Sequence, residues 1–544
     1  MKASPNHNAA VTFEAAALAQ PDKVALHFFE TGRPRQLSYG QLLSLSSHFA
    51  RSVYARGGRP GDRAVLLAKP GPSFFALTLG LLRAGLVPVF VDTGGGLAHL
   101  KACIRAARPR LFIASWPLQL ARRVLGWTAG VCSSLGTHPR FWRLDAAGSS
   151  DAADTFATAA VLPKDLALIA FTSGSTGPAK GVLHSHANLR AQVSLLQQLY
   201  PVSPATVDMP TLPVFTLFDL ALGLSSVLAD TNTLSPAKAD PAKLTAAMET
   251  FGVKQLFGSP VLIDTLSRYA VTRGLTFSNL ERVVSAGAPA EAEALRRMQM
   301  VSPKAEVVTP YGATECLPIS SVAADTVVRA APRTAQGAGI CVGRPAPETR
   351  AELIRITDAA LPLWQADFRV PPGEVGEVTV AGPQVSERYL DNPEADRAHK
   401  IRDGELTLHR TGDLGYLDAD GQLWLVGRKN QRVITAAETL FTLPCERVVT
   451  AHPAVARAAL VGVPAKFDQT HYQKAVICAE LYEPNGAQDE LREELLELLA
   501  SSPVTRTIST ILFHPKLPTD ARHNSKLRRE VIAVWAAELL NRQR

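Results

Sequence analysis

Cysteine is scarce, and its placement is uninformative for bonding. Six stand at 103, 132, 316, 341, 445 and 478, with no Cys-x-x-Cys pair and no histidine beside them at ligand spacing. A disulfide scaffold and a structural zinc site are excluded, and a reducing cytosol is the expected compartment. A membrane-spanning helix needs about 20 apolar residues, and none is found: the most apolar stretch, 74–91, is interrupted by Arg83 and Pro88. Residues 1–11 carry one lysine and no apolar core, so no secretory signal is expected. Charge of one sign is thin as well. A net +8 spread over 544 residues permits weak attraction to phosphates or to an anionic membrane face, but it does not indicate nucleic-acid binding. There is no internal repeat and no low-complexity tail. What remains is a chain that is 46% hydrophobic and 19% charged, with enough apolar material for three or four compact units, or for one large unit and a smaller one.

The apolar pattern is that of an α/β protein. Ser38 and Gln41 have capping-box spacing, and Leu42, Leu43, Leu45, Phe49 and Val53 then share a face, which predicts a helix over about 38–56. The turn Arg59-Pro60-Gly61-Asp62 leads to an apolar run at 64–68, a helical stretch to Ala84, and a strand at 87–91. The unit repeats through 110–114 and 166–171, predicting mainly parallel sheets flanked by helices on both faces. Residues 134–163 read as a surface connection. Short strands with turns after 363, including 376–381 and 422–426, predict a small β-rich region. From about 429, strands near 456–463, 475–481 and 508–513 with helices near 487–500 and 527–540 predict a small, mobile α+β lid. The domain reading is therefore 1–428 and 429–544.

Behind the strand at 166–171 comes Thr172-Ser173-Gly174-Ser175-Thr176-Gly177-Pro178-Ala179-Lys180-Gly181. Glycines let the backbone bring N–H groups close to an anion, four hydroxyls add donors, and Lys180 adds positive charge. The chemistry is that of a phosphate cradle. A Walker A loop would place Ser or Thr after the lysine, whereas Gly181 stands there, so an ordinary P-loop NTPase is disfavoured. His184 and His186 match no triad or metal spacing and read as structural. Residues 116–127 mix leucines with Arg122 and Arg123; a buried helix is favoured there over a surface for a membrane or an acyl chain.

This loop resembles the phosphate loop of the adenylate-forming superfamily, which comprises acyl-CoA synthetases, peptide-synthetase adenylation domains and luciferases. Further matches follow in the family's order: Ser285-Ala286-Gly287-Ala288-Pro289, Tyr311-Gly312-Ala313-Thr314-Glu315, Gly373-Glu374-Val375-Gly376-Glu377, Thr411-Gly412-Asp413, Gly427-Arg428 and Lys526. The resemblance implies ATP and Mg²⁺ as cofactors. It places Gly287, Ala288 and Pro289 along adenine, Tyr311 stacked on the base, Thr314 on the α-phosphate and Glu315 on the metal. Asp413 would accept from both ribose hydroxyls, and Arg428 would contact the sugar or phosphate. Gly312 belongs to the same nucleotide motif. The catalytic candidates are Lys526, Glu315 and Thr176, with Lys526 spanning the substrate carboxylate and the α-phosphate.

Departures from the common pattern refine the resemblance. The hinge position, two places after Arg428, holds Asn430 where Asp or Lys is usual. Acyl-CoA synthetases carry glycines in the loop that follows, where a pantetheine arm approaches, but residues 429–461 contain none. Pro213-Val214-Phe215-Thr216 replaces a Phe-His pair, and the C-terminal loop ending at Lys526 contains two extra residues relative to the usual Gly-Lys ending. With Phe90-Val91-Asp92-Thr93-Gly94 and Arg522-His523-Asn524-Ser525-Lys526, the chain resembles the β-lactone synthetases of bacterial long-chain olefin biosynthesis. That resemblance implies a long-chain 3-hydroxy acid substrate. It also implies work beside a thiolase-like condensing enzyme, a reductase and a hydrolase-fold partner, with no nucleic acid and at most peripheral membrane contact. An acyl-CoA ligase and a catalytically silent nucleotide-binding protein are the competing readings; Lys526, Glu315 and Asp413 together argue against the second.

Overall fold

The computed structural model describes residues 6–92, 95–115, 118, 133–137, 156–172, 179–229, 239–464, 472–483, 488–519 and 527–542. Residues 173–178, Lys526 and, apart from Leu118, the stretch 116–127 lie outside them.

A six-stranded sheet runs in the order Ser133–Thr137, Leu111–Ser115, Arg63–Leu67, Val87–Phe90, Leu166–Thr172, Lys180–Ser185. Its first five strands are parallel and the last pair is antiparallel. Alternate residues of one strand enter different cores. Ala64 and Leu66 pack with the helices Tyr39–Ala55 and Pro72–Arg83, while Val65 and Leu67 pack with Leu100, Cys103 and Ile104 of the helix Gly96–Ala107. Both faces are covered, which is why these strands read as unbroken apolar runs. The predicted capping box is present: Gln41 N donates to Ser38 Oγ and Ser38 N to Gln41 Oε1.

Arg83, which broke the apolar run in the sequence, is fully buried. It donates to the Leu43 carbonyl, Ser46 Oγ, Ser47 Oγ, Thr158 Oγ1, the Phe156 carbonyl and Glu14. A guanidinium has five N–H donors and tolerates burial when they are satisfied. This corrects the surface connection predicted over 134–163, because Ser133–Thr137 is a strand and residues 156–158 are tied to a core arginine.

The second sheet has fourteen strands. From Val24–Glu30 through Ser225–Val227, Val207–Pro210, Gln255–Gly258 and Arg282–Ser285 to Glu306–Ala313 the pairing is parallel. Beyond, through Cys316–Ala323, Ile340–Pro345, Leu423–Arg428, Leu406–Leu417, Gly376–Ala381 and Arg350–Ile354, it is antiparallel. The β-rich region predicted after 363 is therefore a continuation of the same sheet, and its first hairpin begins near 306. Where Ile340–Pro345 pairs with Cys316–Ala323, Gly343 has φ +83°, and a Cβ there would lie 2.1 Å from the Ser321 carbonyl oxygen, so only glycine allows these two strands to meet.

One buried pair, Asp208 on this sheet and Asp219 on the helix Thr216–Leu222 beside it, has a pH consequence. Asp208 and Asp219 are both buried; Gln255 Nε2 donates to Asp208 Oδ2 at 2.6 Å and Ser226 Oγ to Asp219 Oδ2 at 2.7 Å. Burial pushes the Asp208 carboxyl up from 3.8 to about 6, and burial together with the Asp208 charge raises Asp219 well above the usual range. The fold favours the protonated acid, so its contribution is full below about pH 4 and is lost as pH rises through about 6. Asp208→Asn, which cannot ionise, is expected to raise the melting temperature by a few degrees at pH 8 and by less at pH 5. Equal gains at the two pH values would contradict the assignment.

The C-terminal strands Val455–Pro464, Gln473–Leu481 and Ile511–Phe513 form a third sheet. The helix Gln488–Ser501 covers one face through Leu495 and Leu499, and the helix Arg529–Arg542 covers the other through Ile532 and Ala536. These elements match the sequence reading. The helix Thr442–Thr450 was not anticipated; its Glu446 takes a two-oxygen contact from Arg529, at 2.7 Å to each oxygen. Among the described residues no helix is long and apolar enough to cross a membrane.

Candidate active site

A cavity of about 3340 Å³ opens between the sheets and the C-terminal elements. The predicted nucleotide residues within the described chain converge on it: Thr172, Lys180, Gly287, Ala288, Pro289, Tyr311, Gly312, Thr314, Glu315, Asp413, Arg428 and Asn430 all line it. Ser173, Gly174, Ser175, Thr176 and Gly177 fall outside the described residues, but the ends of their loop are placed. Thr172 pairs with Lys180 across an antiparallel hairpin, so the loop connects two adjacent strands at the cavity.

Gly287 follows the strand Arg282–Ser285 with φ +98°, a conformation that turns Ala288 and Pro289 along the cavity wall and that side-chain-bearing residues rarely adopt. Tyr311, Thr314 and Glu315 sit together because Glu306–Ala313 and Cys316–Ala323 form a hairpin with Thr314 and Glu315 at its tip. Tyr311 Oη donates to Asp413 Oδ2 at 2.6 Å, and Arg428 Nε lies 3.2 Å from Asp413 Oδ1. Burial, then the Asp413 charge, pushes the Tyr311 hydroxyl well above the phenol range. Residues 102 positions apart are thus locked together: the carboxylate fixes the aromatic ring, and its remaining lone pairs can accept further hydroxyls.

Glu315 accepts from Tyr389 Oη at 2.8 Å. Tyr389 belongs to a segment that closes over the phosphate hairpin, where Leu183 N donates to the Arg388 carbonyl and Leu390 N to the Gly181 carbonyl. His399 contacts Lys180, and Lys400 is buried with Nζ donating to the Ser386 carbonyl at 2.6 Å. Burial lowers Lys400 to about 8, with Glu315 opposing the shift. Sequence reasoning missed Tyr389 and His399, which line the cavity, and Lys400 beside the Tyr389 ring; none carries a local signal.

His186 is structural, as expected: its Nδ1 accepts from Ala9 N at 3.0 Å. His184 is also buried and lines the cavity. Burial lowers both to about 4, so they are neutral near pH 7. The far wall of the cavity is apolar. Phe215 stacks on Phe257 with centroids 4.1 Å apart, and Leu196, Leu212, Phe218 and Val284 line the same region. Thr216, standing where a histidine is common, is fully buried and accepts from Ser226 Oγ.

The motif Gly373–Glu377 now has a structural role. Glu377 is fully buried and takes Arg410 at 2.5 Å and Lys429 at 3.1 Å, next to Asn430. Glu377→Gln leaves two cations without their counter-charge, one of them fully buried, and is expected to destabilise the protein by about 3–5 kcal/mol. Urea denaturation read by fluorescence measures this; a loss below about 1 kcal/mol would mean the cations are solvated.

The fold and this cavity define an adenylate-forming enzyme, and the chain belongs to the AMP-binding enzyme family, whose model matches residues 13–390. Within that family it is similar to the olefin beta-lactone synthetase of Xanthomonas campestris pv. campestris, with 39% identity over 98% of each chain. It is equally similar to that of Stenotrophomonas maltophilia, at 39% identity over 93% of this chain and 92% of the relative. The amide bond synthetase McbA from Marinactinospora thermotolerans shares the fold, with a TM-score of 0.80, 23% identity, and coverage of 98% of this chain and 100% of McbA.

Proposed function

We propose that the enzyme activates a long-chain 3-hydroxy fatty acid with ATP and closes it to a β-lactone. The carboxylate oxygen attacks the α-phosphorus and pyrophosphate leaves. The 3-hydroxyl oxygen then attacks the acyl carbon, loses its proton, and AMP departs. Holding the hydroxyl beside the carbonyl makes closure unimolecular, and such proximity is worth about 7–11 kcal/mol when well oriented. The observation that carries this reading is 39% identity, over nearly the full length of both chains, to a protein named olefin beta-lactone synthetase.

A local feature supports it. Residues 435–438 make a tight turn without glycine, since Ala437 N and Glu438 N donate to Thr435 Oγ1 and Thr435 N to the Glu438 carbonyl. The Thr435 hydroxyl closes the turn, and on this reading the side chains of Ala436 and Ala437 crowd the approach of a pantetheine arm.

In this reading Tyr311, Gly287, Ala288, Pro289 and Gly312 hold adenine, and Asp413 and Arg428 hold the ribose. Thr172, Ser173, Gly174, Ser175, Thr176, Gly177, Lys180 and Thr314 hold the phosphates. Residues 1–428 form the body and 429–544 a mobile lid hinged at Asn430. Lys526 comes from the lid; Thr519 and Leu527 flank its loop, bridge to each other and line the cavity. Among the described residues no cluster of three or more metal-ligating side chains occurs. A lone carboxylate, Glu315, fits Mg²⁺, which commonly takes one or two carboxylates plus substrate phosphates. When bound, the ion offsets phosphate charge. A cytoplasmic setting beside thiolase-like, reductase and hydrolase-fold enzymes belongs to the same reading.

Two contacts are testable directly. Asp413→Ala should weaken ATP binding about tenfold or more, because the ribose loses its acceptor and Tyr311 its partner; titration calorimetry reads the change. Glu315→Gln should raise the Mg²⁺ concentration for half-maximal rate, and an unchanged requirement would show that the metal is held elsewhere. The reading as a whole is tested by pyrophosphate release with a 3-hydroxy fatty acid, ATP and Mg²⁺ and no CoA. Sustained release is expected, and its absence across chain lengths would overturn it.

A further inference from the structure

Lys180 of the phosphate hairpin is held by a histidine. Its Nζ lies 2.8 Å from His399 Nε2, and His399 Nδ1 lies 3.3 Å from the Arg410 carbonyl oxygen. A carbonyl only accepts, so Nδ1 carries the proton and the Nε2 lone pair is left to accept from the ammonium. The imidazole is itself braced. His409 Nδ1 donates to the His399 carbonyl, and the Tyr389 ring meets His399 edge to face with centroids 6.0 Å apart. The Lys180 ammonium lies 5.6 Å from the centroid of the Tyr389 ring, whose hydroxyl reaches Glu315. Burial, then the Lys180 charge, lowers His399 to about 4, so the ring is neutral near pH 7.

We propose that His399 is a positioning residue for Lys180, a charge-neutral anchor that aims the ammonium at the phosphate site without cancelling its charge. A free lysine side chain must surrender rotamer entropy to hold one geometry. An acidic partner would remove that freedom but also neutralise the cation. A neutral imidazole of fixed tautomer orders the lysine and leaves its full charge for an incoming phosphate. The inference rests on the reading that Lys180 binds the phosphates of ATP.

Four single variants and one double variant test it, with KM for ATP, kcat and melting temperature as readouts. His399→Leu removes the acceptor and should raise KM for ATP about tenfold with kcat changed far less, the cost of losing a hydrogen bond to a charged group. His399→Gln restores a neutral acceptor and should recover most of the affinity. His399→Glu restores an acceptor but adds negative charge, so KM should stay high although the fold is at least as stable as with Gln. This Gln-against-Glu contrast is not expected of a merely structural residue, and it remains readable if the Leu variant fails to fold. Lys180→Ala should raise KM about tenfold or more, and adding His399→Leu to it should cost little further. An unchanged KM in Lys180→Ala would overturn the phosphate reading itself. A raised KM there, with His399→Leu unaffected or fully additive, or with Glu as good as Gln, would overturn the anchor alone.

Discussion

Replacing Lys526 by alanine is expected to lower pyrophosphate release by about 100-fold or more while leaving ATP binding largely intact. The reason is electrostatic. Carboxylate and α-phosphate are both anionic, and charge builds further on the phosphate as they meet, so a cation spanning the two acts on the transition state more than on bound ATP. In the proposed reading the ground-state contacts belong to other residues, the Tyr311–Asp413–Arg428 cluster and the Lys180 hairpin, all within 1–428. Single-turnover pyrophosphate release, with ATP affinity measured separately, distinguishes the roles. Near-normal adenylation in Lys526→Ala would remove that lysine from the chemistry.

The second large effect separates two fates of the acyl adenylate. A fatty acid lacking the 3-hydroxyl should be adenylated and then stall, giving a burst of about one pyrophosphate per enzyme, because no internal nucleophile exists to discharge it. The 3-hydroxy acid of the same length should turn over continuously. On the proposed reading, in which the glycine-free segment after Asn430 crowds a pantetheine arm, CoA should not rescue the plain acid. Sustained, CoA-dependent turnover of the plain acid would identify a ligase instead.

Much of this was legible in the chain before its fold. The phosphate loop is readable from its own chemistry, the Tyr311–Glu315 motif, Asp413 and Arg428 come from the family resemblance, and the structure lines one cavity with them. The capping box at Ser38 and the C-terminal strands and helices were readable because period and spacing are local properties. The remainder depends on contacts between distant segments. Tyr389 and His399 look ordinary in sequence and matter because backbone hydrogen bonds bring 388–390 against 181–183 and the helix Pro393–His399 ends at Lys180. Arg83 read as an interruption, and its six partners come from three other segments of the chain. The short strands after 363 read as a small β-rich region; pairing of Glu306–Ala313 with Cys316–Ala323, and of that strand with Ile340–Pro345, makes them part of the parallel sheet.

The most direct test of the account is product analysis. The enzyme is incubated with a long-chain 3-hydroxy fatty acid, ATP, Mg²⁺ and CoA together, and the products are identified by mass spectrometry and NMR. A β-lactone and AMP are expected in equal amounts, with no thioester and no change when CoA is left out. A 3-hydroxyacyl-CoA formed in place of the lactone would contradict it.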